Sequence, residues 1–153
     1  MDKKDILKKV IEELEKEVRG LKKSVGTIHK TGVEAPGAME SHSDTTKSQM
    51  QNLEAKTNED LLSKERELET LRRFVPNNSS EKIEIGSLFE TEEKGKKSTL
   101  FFLEGGAGIR VLECTVITPR SPLGRAFMGK KKGDKIIVEL PAGSREYGVI
   151  NIF

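Results

Sequence analysis

Apolar residues near the amino terminus recur at alternating spacings of four and three positions. The members of this stripe are Leu7, Ile11, Leu14, Val18, Leu21, Val25 and Ile28. Such spacing places them on one face of an α-helix and is typical of a coiled-coil seam. Asp2 can cap the start, and Gly26 and Gly32 lie near the end. The pattern predicts a helix over about residues 3–30.

A second, more polar helical pattern follows a segment that breaks helices. Residues 31–43 read TGVEAPGAMESHS and predict a tip connection. Residues 44–74 regain heptad-like spacing, through Leu53, Thr57, Leu61, Lys64, Leu68 and Leu71. Two helices of similar length with a short connection are most simply antiparallel. Residues 1–76 are therefore predicted to form an antiparallel coiled-coil hairpin.

The pattern changes again after Pro76, where residues 77–81 predict a linker. Residues 121–128, with Pro122 in the first turn and Gly129 after the end, predict a short helix. The turn PAGS begins at Pro141 and predicts a hairpin. Short β-like runs occupy residues 82–85, 98–103, 109–118, 135–140 and 147–153. Residues 82–153 are predicted to be a mainly antiparallel sheet with one short helix, so the whole chain is α+β.

Composition limits the classes of function. The formal net charge is only +2, so no overall field points to nucleic acid or to an acidic membrane. Cys114 is the single cysteine and cannot form an internal disulfide. No run approaches the roughly 20 apolar residues that cross a bilayer. A cytoplasmic protein without a membrane partner is expected.

One long motif lies in the carboxyl-terminal half. Residues 117–134 read ITPRSPLGRAFMGKKKGD, and VELPAG at 138–143 and REY at 145–147 follow. This segment resembles the carboxyl-terminal signature of the bacterial Gre transcript cleavage factors. The resemblance covers nearly half of the chain and is specific, because residue types and spacing agree over a long stretch. It implies an FKBP-like domain that docks at the rim of the secondary channel of bacterial RNA polymerase.

The same resemblance implies which residues dock. Ser121, Pro122, Leu123 and Arg125 hold the docking positions, and Pro122 would stiffen an exposed loop. An ordinary alternative is that Ser121 caps the short helix and Pro122 starts it. Between Pro119 and Gly133 the chain has basic residues and no acid, which suits an acidic partner surface or a solvated turn. These basic residues are Arg120, Arg125, Lys130, Lys131 and Lys132.

The helical hairpin also fits the family, in which it enters the channel and presents acidic residues at its tip. The resemblance makes Glu40 and Asp44 candidate catalytic acids that would share a Mg²⁺ ion with the polymerase active site. The chain would have no cofactor of its own and would not itself be an enzyme. The tip departs from the family's Asp-x-x-Glu-Asn cluster and lacks its aromatic residue. Asp44 has an ordinary explanation as a cap, and Glu34 and Glu40 as solvated residues.

The resulting hypothesis is a monomeric transcription elongation regulator that binds bacterial RNA polymerase, possesses no sequence-specific nucleic-acid site of its own, and stimulates cleavage of backtracked RNA. One alternative is an inhibitor that occupies the channel without cleavage, and another is a coiled-coil adaptor unrelated to polymerase. A prolyl isomerase is disfavoured by the few aromatic residues. A cysteine enzyme is disfavoured because the only histidines, His29 and His42, lie far from Cys114 in the chain.

Overall fold

The computed structural model describes the backbone of residues 2–34, 40–78 and 80–153, with side chains for all of these except 28–34 and 40–44. The chain forms two compact units. One contains Met1–Glu13 together with Glu67–Phe153, and the other is Leu14–Arg66. This division falls within the long helices, and the boundary at residues 77–81 stays a prediction.

Two long helices occupy most of the amino-terminal half: α1 is Lys3–Glu34 and α2 is Glu40–Arg73. Asp2 caps α1 as expected, because its Oδ1 accepts a hydrogen bond from the Lys4 N–H at 3.0 Å. The helix continues through Gly26 and Gly32 instead of ending near residue 30. A glycine costs about 1 kcal/mol in a helix interior, which a helix of this length can absorb. No helix in the described part of the chain is long and apolar enough to span a membrane.

The unit of residues 14–66 contains buried apolar residues, and ion pairs join its two helical segments. Leu14 and Val18 are buried. The predicted seam residue Lys64 forms an ion pair with Glu17 at 3.3 Å. Leu53, in contrast, is 52% exposed, so its assignment to the seam was wrong. Positions that repeat every seven residues rotate by about 20° per heptad around a straight α-helix. Over several heptads this rotation turns a residue such as Leu53 away from the face that is buried at the end of α2.

In the described residues six strands form one sheet: β1 Leu88–Glu93, β2 Lys96–Phe102, β3 Arg110–Val111, β4 Cys114–Ile117, β5 Lys135–Leu140 and β6 Gly143–Ile152. Their order across the sheet is β3-β4-β2-β1-β6-β5. Neighbouring strands are antiparallel, except that β2 and β4 are parallel. A short helix, α3, is Pro122–Phe127 and lies between β4 and β5 in the chain. The predicted α+β fold, with two long helices followed by the sheet, is confirmed.

Two strand predictions were wrong in detail. Residues 82–85 form only an isolated bridge, between Lys82 and Lys131. The strand β1 was missed, because its sequence LFETEE is rich in glutamate and shows no simple apolar alternation. Its Thr91 is nevertheless buried and donates a hydrogen bond through its hydroxyl to the Ser98 carbonyl at 3.4 Å.

The predicted strand over residues 109–118 is divided by a tight turn. Leu112 and Glu113 have φ of 48° and 63°, in the left-handed region that most residues avoid. The chain therefore reverses between β3 and β4, which pair with each other. The predicted hairpin at Pro141 is confirmed, since Leu140 pairs with Gly143 across the turn between β5 and β6.

The helix ends in the larger unit pack against a glycine turn. The N–H of Gly106 donates a hydrogen bond to Glu67 Oε2 at 2.8 Å. A Cβ atom on Gly105 would lie 2.9 Å from the Glu67 Cβ, and one on Gly106 would lie 3.1 Å from Val10 Cγ1. Val10 is fully buried although it lies outside the predicted seam. The start of α1 thus has a second buried face that the heptad pattern did not reveal.

We expect Gly105→Ala to destabilise the protein by about 1–3 kcal/mol, because the added methyl group meets the Glu67 side chain and backbone. Gly20→Ala is the matched control, since a Cβ there meets nothing within 4 Å. It should raise stability by up to about 1 kcal/mol through helix propensity. Chemical denaturation of both variants checks this prediction. Equal effects of the two substitutions would contradict a close packing at Gly105.

Candidate functional site

The residues that hold the docking positions surround the start of α3. Ser121 is the N-cap of this helix, with its backbone extended at φ −75° and ψ 151°. Its Oγ accepts a hydrogen bond from the Gly124 N–H at 3.0 Å and donates one to the Thr118 carbonyl at 2.8 Å. Pro122 follows in the first turn, where a missing N–H has no cost. The ordinary structural roles of Ser121 and Pro122 are therefore present.

Gly124 is a site residue that the sequence did not single out. A Cβ atom at this position would overlap the carbonyl oxygen of Thr118 and lie 2.6 Å from its carbonyl carbon. Only glycine allows the helix to approach the preceding backbone so closely. The sequence did contain a signal, which was a glycine three residues after a capping serine. Glycine lowers helix propensity, so its presence inside so short a helix indicates a structural need.

The far end of α3 is anchored in the core. The Phe127 ring is fully buried and packs against Phe89 at 5.2 Å and Tyr147 at 5.8 Å between ring centroids. Leu123 and Ala126 are partly buried against the same cluster. The other members of this core are Ile83, Leu100, Phe102, Ile117, Ile136, Val138 and Val149. Burial of one face of α3 fixes which of its residues remain accessible.

Two of the docking candidates are exposed on this fixed frame. Pro122 and Arg125 lie at the surface, while Leu123 is half-buried. The Arg125 guanidinium donates through Nη2 to the Arg120 carbonyl at 3.1 Å, and its other N–H donors remain available. The structure brings Ser121, Pro122, Leu123 and Arg125 together within about one and a half helical turns. The site presents a stiff proline, a partly accessible leucine and a cation.

The candidate tip acids are in the other half of the chain. Glu40 and Asp44 belong to the first turns of α2, but their side chains lie outside the described residues. Elsewhere, across the residues whose side chains are described, no group of three or more His, Cys, Asp or Glu could hold a metal ion. The roles of Glu40 and Asp44 thus stay predictions.

Cys114 has the character of a core residue. It is fully buried on β4, and burial raises the pKa of its thiol to about 12. A thiol with such a pKa is protonated at neutral pH and is a poor nucleophile. Cys114 lies in the β-like run predicted over residues 109–118, and the structure adds that its side chain belongs to the core.

The chain is similar to known proteins over about half of its length. A family model described as transcription elongation factor, GreA/GreB, C-term, matches residues 78–153. A transcription elongation factor GreA of Xylella fastidiosa is 32% identical over 80 residues, or 49% of this chain and 48% of the relative. A GreA of Streptococcus suis is 31% identical over 75 residues, or 48% of this chain and 46% of the relative. The chain thus aligns with about half the length of these curated relatives.

Similar solved structures include the GreA factor homolog 1 (Gfh1) protein of Thermus thermophilus. It is 19% identical, the alignment covers 96% of this chain and 94% of that one, and the TM-score is 0.42. A GreA/GreB elongation factor of Nitrosomonas europaea is 17% identical over 58% of this chain and 78% of that chain, with a TM-score of 0.39.

The fold and the site define an α+β protein in which two long helices precede a sheet. The start of α3, which packs against the core of the sheet unit, forms the exposed candidate site. Residues 78–153 match the Gre family model over the whole sheet and α3. The chain is a divergent member of the Gre family of transcription elongation factors, as the carboxyl-terminal motif predicted.

We expect Gly124→Ala to destabilise the protein by about 3 kcal/mol or more, because its methyl group would overlap the backbone of Thr118. Ser121→Ala removes the cap and the hydrogen bond to the Thr118 carbonyl, and it should cost about 1–2 kcal/mol. Thermal unfolding followed by circular dichroism measures both. A Gly124→Ala protein as stable as the Ser121→Ala protein would show that α3 can shift away from Thr118 at little cost.

Proposed function

We propose that this protein is a transcription elongation regulator that binds bacterial RNA polymerase through the surface at the start of α3. The supporting observation is that the Gre-type motif forms one rigid, capped and partly exposed element. A surface that is ordered before binding loses less conformational entropy when it meets a partner. Membership of the Gre family supplies the class of partner.

Within this surface the roles differ. Ser121 and Gly124 use their hydrogen bonds and small size to shape the backbone. Pro122 and Arg125 are exposed and make the direct contacts in the proposed complex. Leu123 adds a partly accessible apolar patch between them. Arginine suits such a role because its planar guanidinium can bind carboxylates with two hydrogen bonds.

The helical hairpin is the second part of the proposal. In the bound state it enters the secondary channel, where Glu40 and Asp44 supply carboxylates to a Mg²⁺ ion shared with the polymerase. Carboxylate oxygens are the ligands that Mg²⁺ prefers. The polymerase then performs RNA cleavage, and this protein is an accessory factor. The alternative function is occupation of the channel without cleavage, which the departure of residues 31–50 from the family's acidic cluster favours.

The docking prediction concerns Pro122→Ala combined with Arg125→Ala. We expect the dissociation constant for purified bacterial core polymerase to rise at least about tenfold, because a few central residues carry most interface energy. Arg110→Ala, which changes an exposed arginine on β3, is the control and should bind as the parent does. Biolayer interferometry measures the binding, and circular dichroism confirms the fold. Undiminished binding by the double variant would refute docking through α3.

The tip prediction concerns Glu40→Ala combined with Asp44→Ala. In a backtracked complex this variant should lose stimulation of RNA cleavage while it still binds polymerase, because the metal would lose two ligands. Glu59→Ala with Asp60→Ala, two exposed acids further along α2, is the control and should retain activity. Gel analysis of the cleaved transcript is the measurement. If the parent protein stimulates no cleavage, the channel-occupying alternative replaces this part of the proposal.

A further inference from the structure

A turn with three consecutive lysines follows α3, and the backbone holds it in place. We call residues 129–134, GKKKGD, the lysine turn. Its two glycines have φ of 75° and 90°, which glycine adopts readily. The Lys130 carbonyl accepts a hydrogen bond from the Ile83 N–H at 2.8 Å, and the Gly133 N–H donates to the Val149 carbonyl at 2.8 Å. The turn is therefore bound to two other parts of the domain.

The Asp134 carboxylate stabilises the backbone of the lysine turn. Asp134 Oδ2 accepts a hydrogen bond from the Lys131 N–H at 2.8 Å. Its own N–H donates to the Lys131 carbonyl at 3.1 Å. The carboxylate thus closes the turn and holds the backbone of the lysines in a fixed position.

The positive charge of the turn is not balanced by ion pairs. Lys130, Lys131 and Lys132 are all exposed, and Lys82 is the bridge partner directly opposite Lys131. Like charges that face each other across a β-bridge are destabilising. Lys132 Nζ donates to the amide oxygen of Asn151 at 3.1 Å. In the described part of the chain, none of these four lysines forms an ion pair. Their clustering therefore contributes no evident stability.

We infer that Lys82 and the lysine turn bind an acidic protein surface on RNA polymerase, beside the surface that contacts α3. This inference rests on the proposed function. The Lys130 N–H donates to the Phe127 carbonyl at 3.0 Å, so the turn follows α3 without a break. Lys130 follows Arg125 by five residues in the chain, so the two residues lie at most about 18 Å apart. One partner face can reach both.

A protein partner fits this surface better than a nucleic acid. The nearby aromatic rings of Phe127 and Tyr147 are buried. Phe153 is exposed, but one ring is less than the series of aromatic side chains on which successive bases of a single strand stack. Binding through phosphates alone draws on many cations over a long basic surface. Here the cluster is compact, and the chain as a whole has a net charge of only +2. A compact group of cations on a rigid turn suits a local patch of carboxylates.

The test compares two variants with the same change in charge. Lys130→Gln, Lys131→Gln and Lys132→Gln are combined in one protein. The control combines Lys94→Gln, Lys96→Gln and Lys97→Gln, three exposed lysines of the hairpin between β1 and β2. Association rates with purified core polymerase are measured over a range of salt concentrations. Thermal unfolding of both variants checks that the fold is retained.

For the lysine-turn variant we expect the association rate at low salt to fall about tenfold and its salt dependence to flatten, because screened attraction between charges governs such rates. The control should retain the parent's rate and salt dependence. Equal losses in both variants would overturn the inference, since total charge would then explain them. An unchanged rate in the lysine-turn variant would also overturn it.

Nucleic acid is the competing partner, and a separate experiment excludes or establishes it. Duplex DNA and single-stranded RNA are each titrated with the parent protein in the absence of polymerase. Binding that the lysine-turn variant loses would overturn the inference in favour of a nucleic-acid contact. If the parent protein does not bind polymerase at all, the proposed function itself fails. That result differs from one in which the parent protein binds polymerase but the lysine-turn variant associates at the same rate and with the same salt dependence.

Discussion

The burial of Phe127 joins the sheet to the helix that forms the candidate site. Its ring contacts Phe89 on β1 and Tyr147 on β6, two strands that are neighbours in the sheet. An isolated helix as short as α3 is not stable in water, because nucleation is unfavourable. Its position therefore depends on this tertiary contact. Removal of a buried phenylalanine side chain typically costs about 3–5 kcal/mol, which is a large part of the stability of a small domain.

The site at α3 separates residues that shape it from residues that can contact a partner. The Ser121 hydroxyl is used by two internal hydrogen bonds, and Gly124 is needed for its lack of a side chain. In the proposed complex these two positions shape the surface without touching the partner. The side chains of Pro122 and Arg125 are exposed on the same frame and accessible to a partner, although Pro122 also starts the helix and Arg125 donates to the Arg120 carbonyl. A motif can thus contain both kinds of residue within a few positions.

The glycine turn at Gly105 and Gly106 has a comparable role for the long helices. Its backbone donates to Glu67 and lies against Val10, so the ends of α1 and α2 belong to the same compact unit as the sheet. The heptad pattern explains one buried face of α1. The second buried face includes Ile6 and Val10, and the glycine turn lies against Val10. Glycine is suited to this position because larger residues would keep the backbone away from the helices.

The sequence by itself determined the two long helices, the cap of α1, the short α3 with its serine and proline, and membership of the Gre family. These features depend on local spacing, capping residues or a long motif, and all of these can be read from the order of residues along the chain. Only the tertiary structure decided that β1 is a strand, that Leu53 is exposed and that Gly124 has no room for a side chain. It also placed Lys82 opposite Lys131. Contacts between separate segments control these properties, such as Thr118 against Gly124 and Lys131 opposite Lys82, and periodicity along one segment carries no information about them.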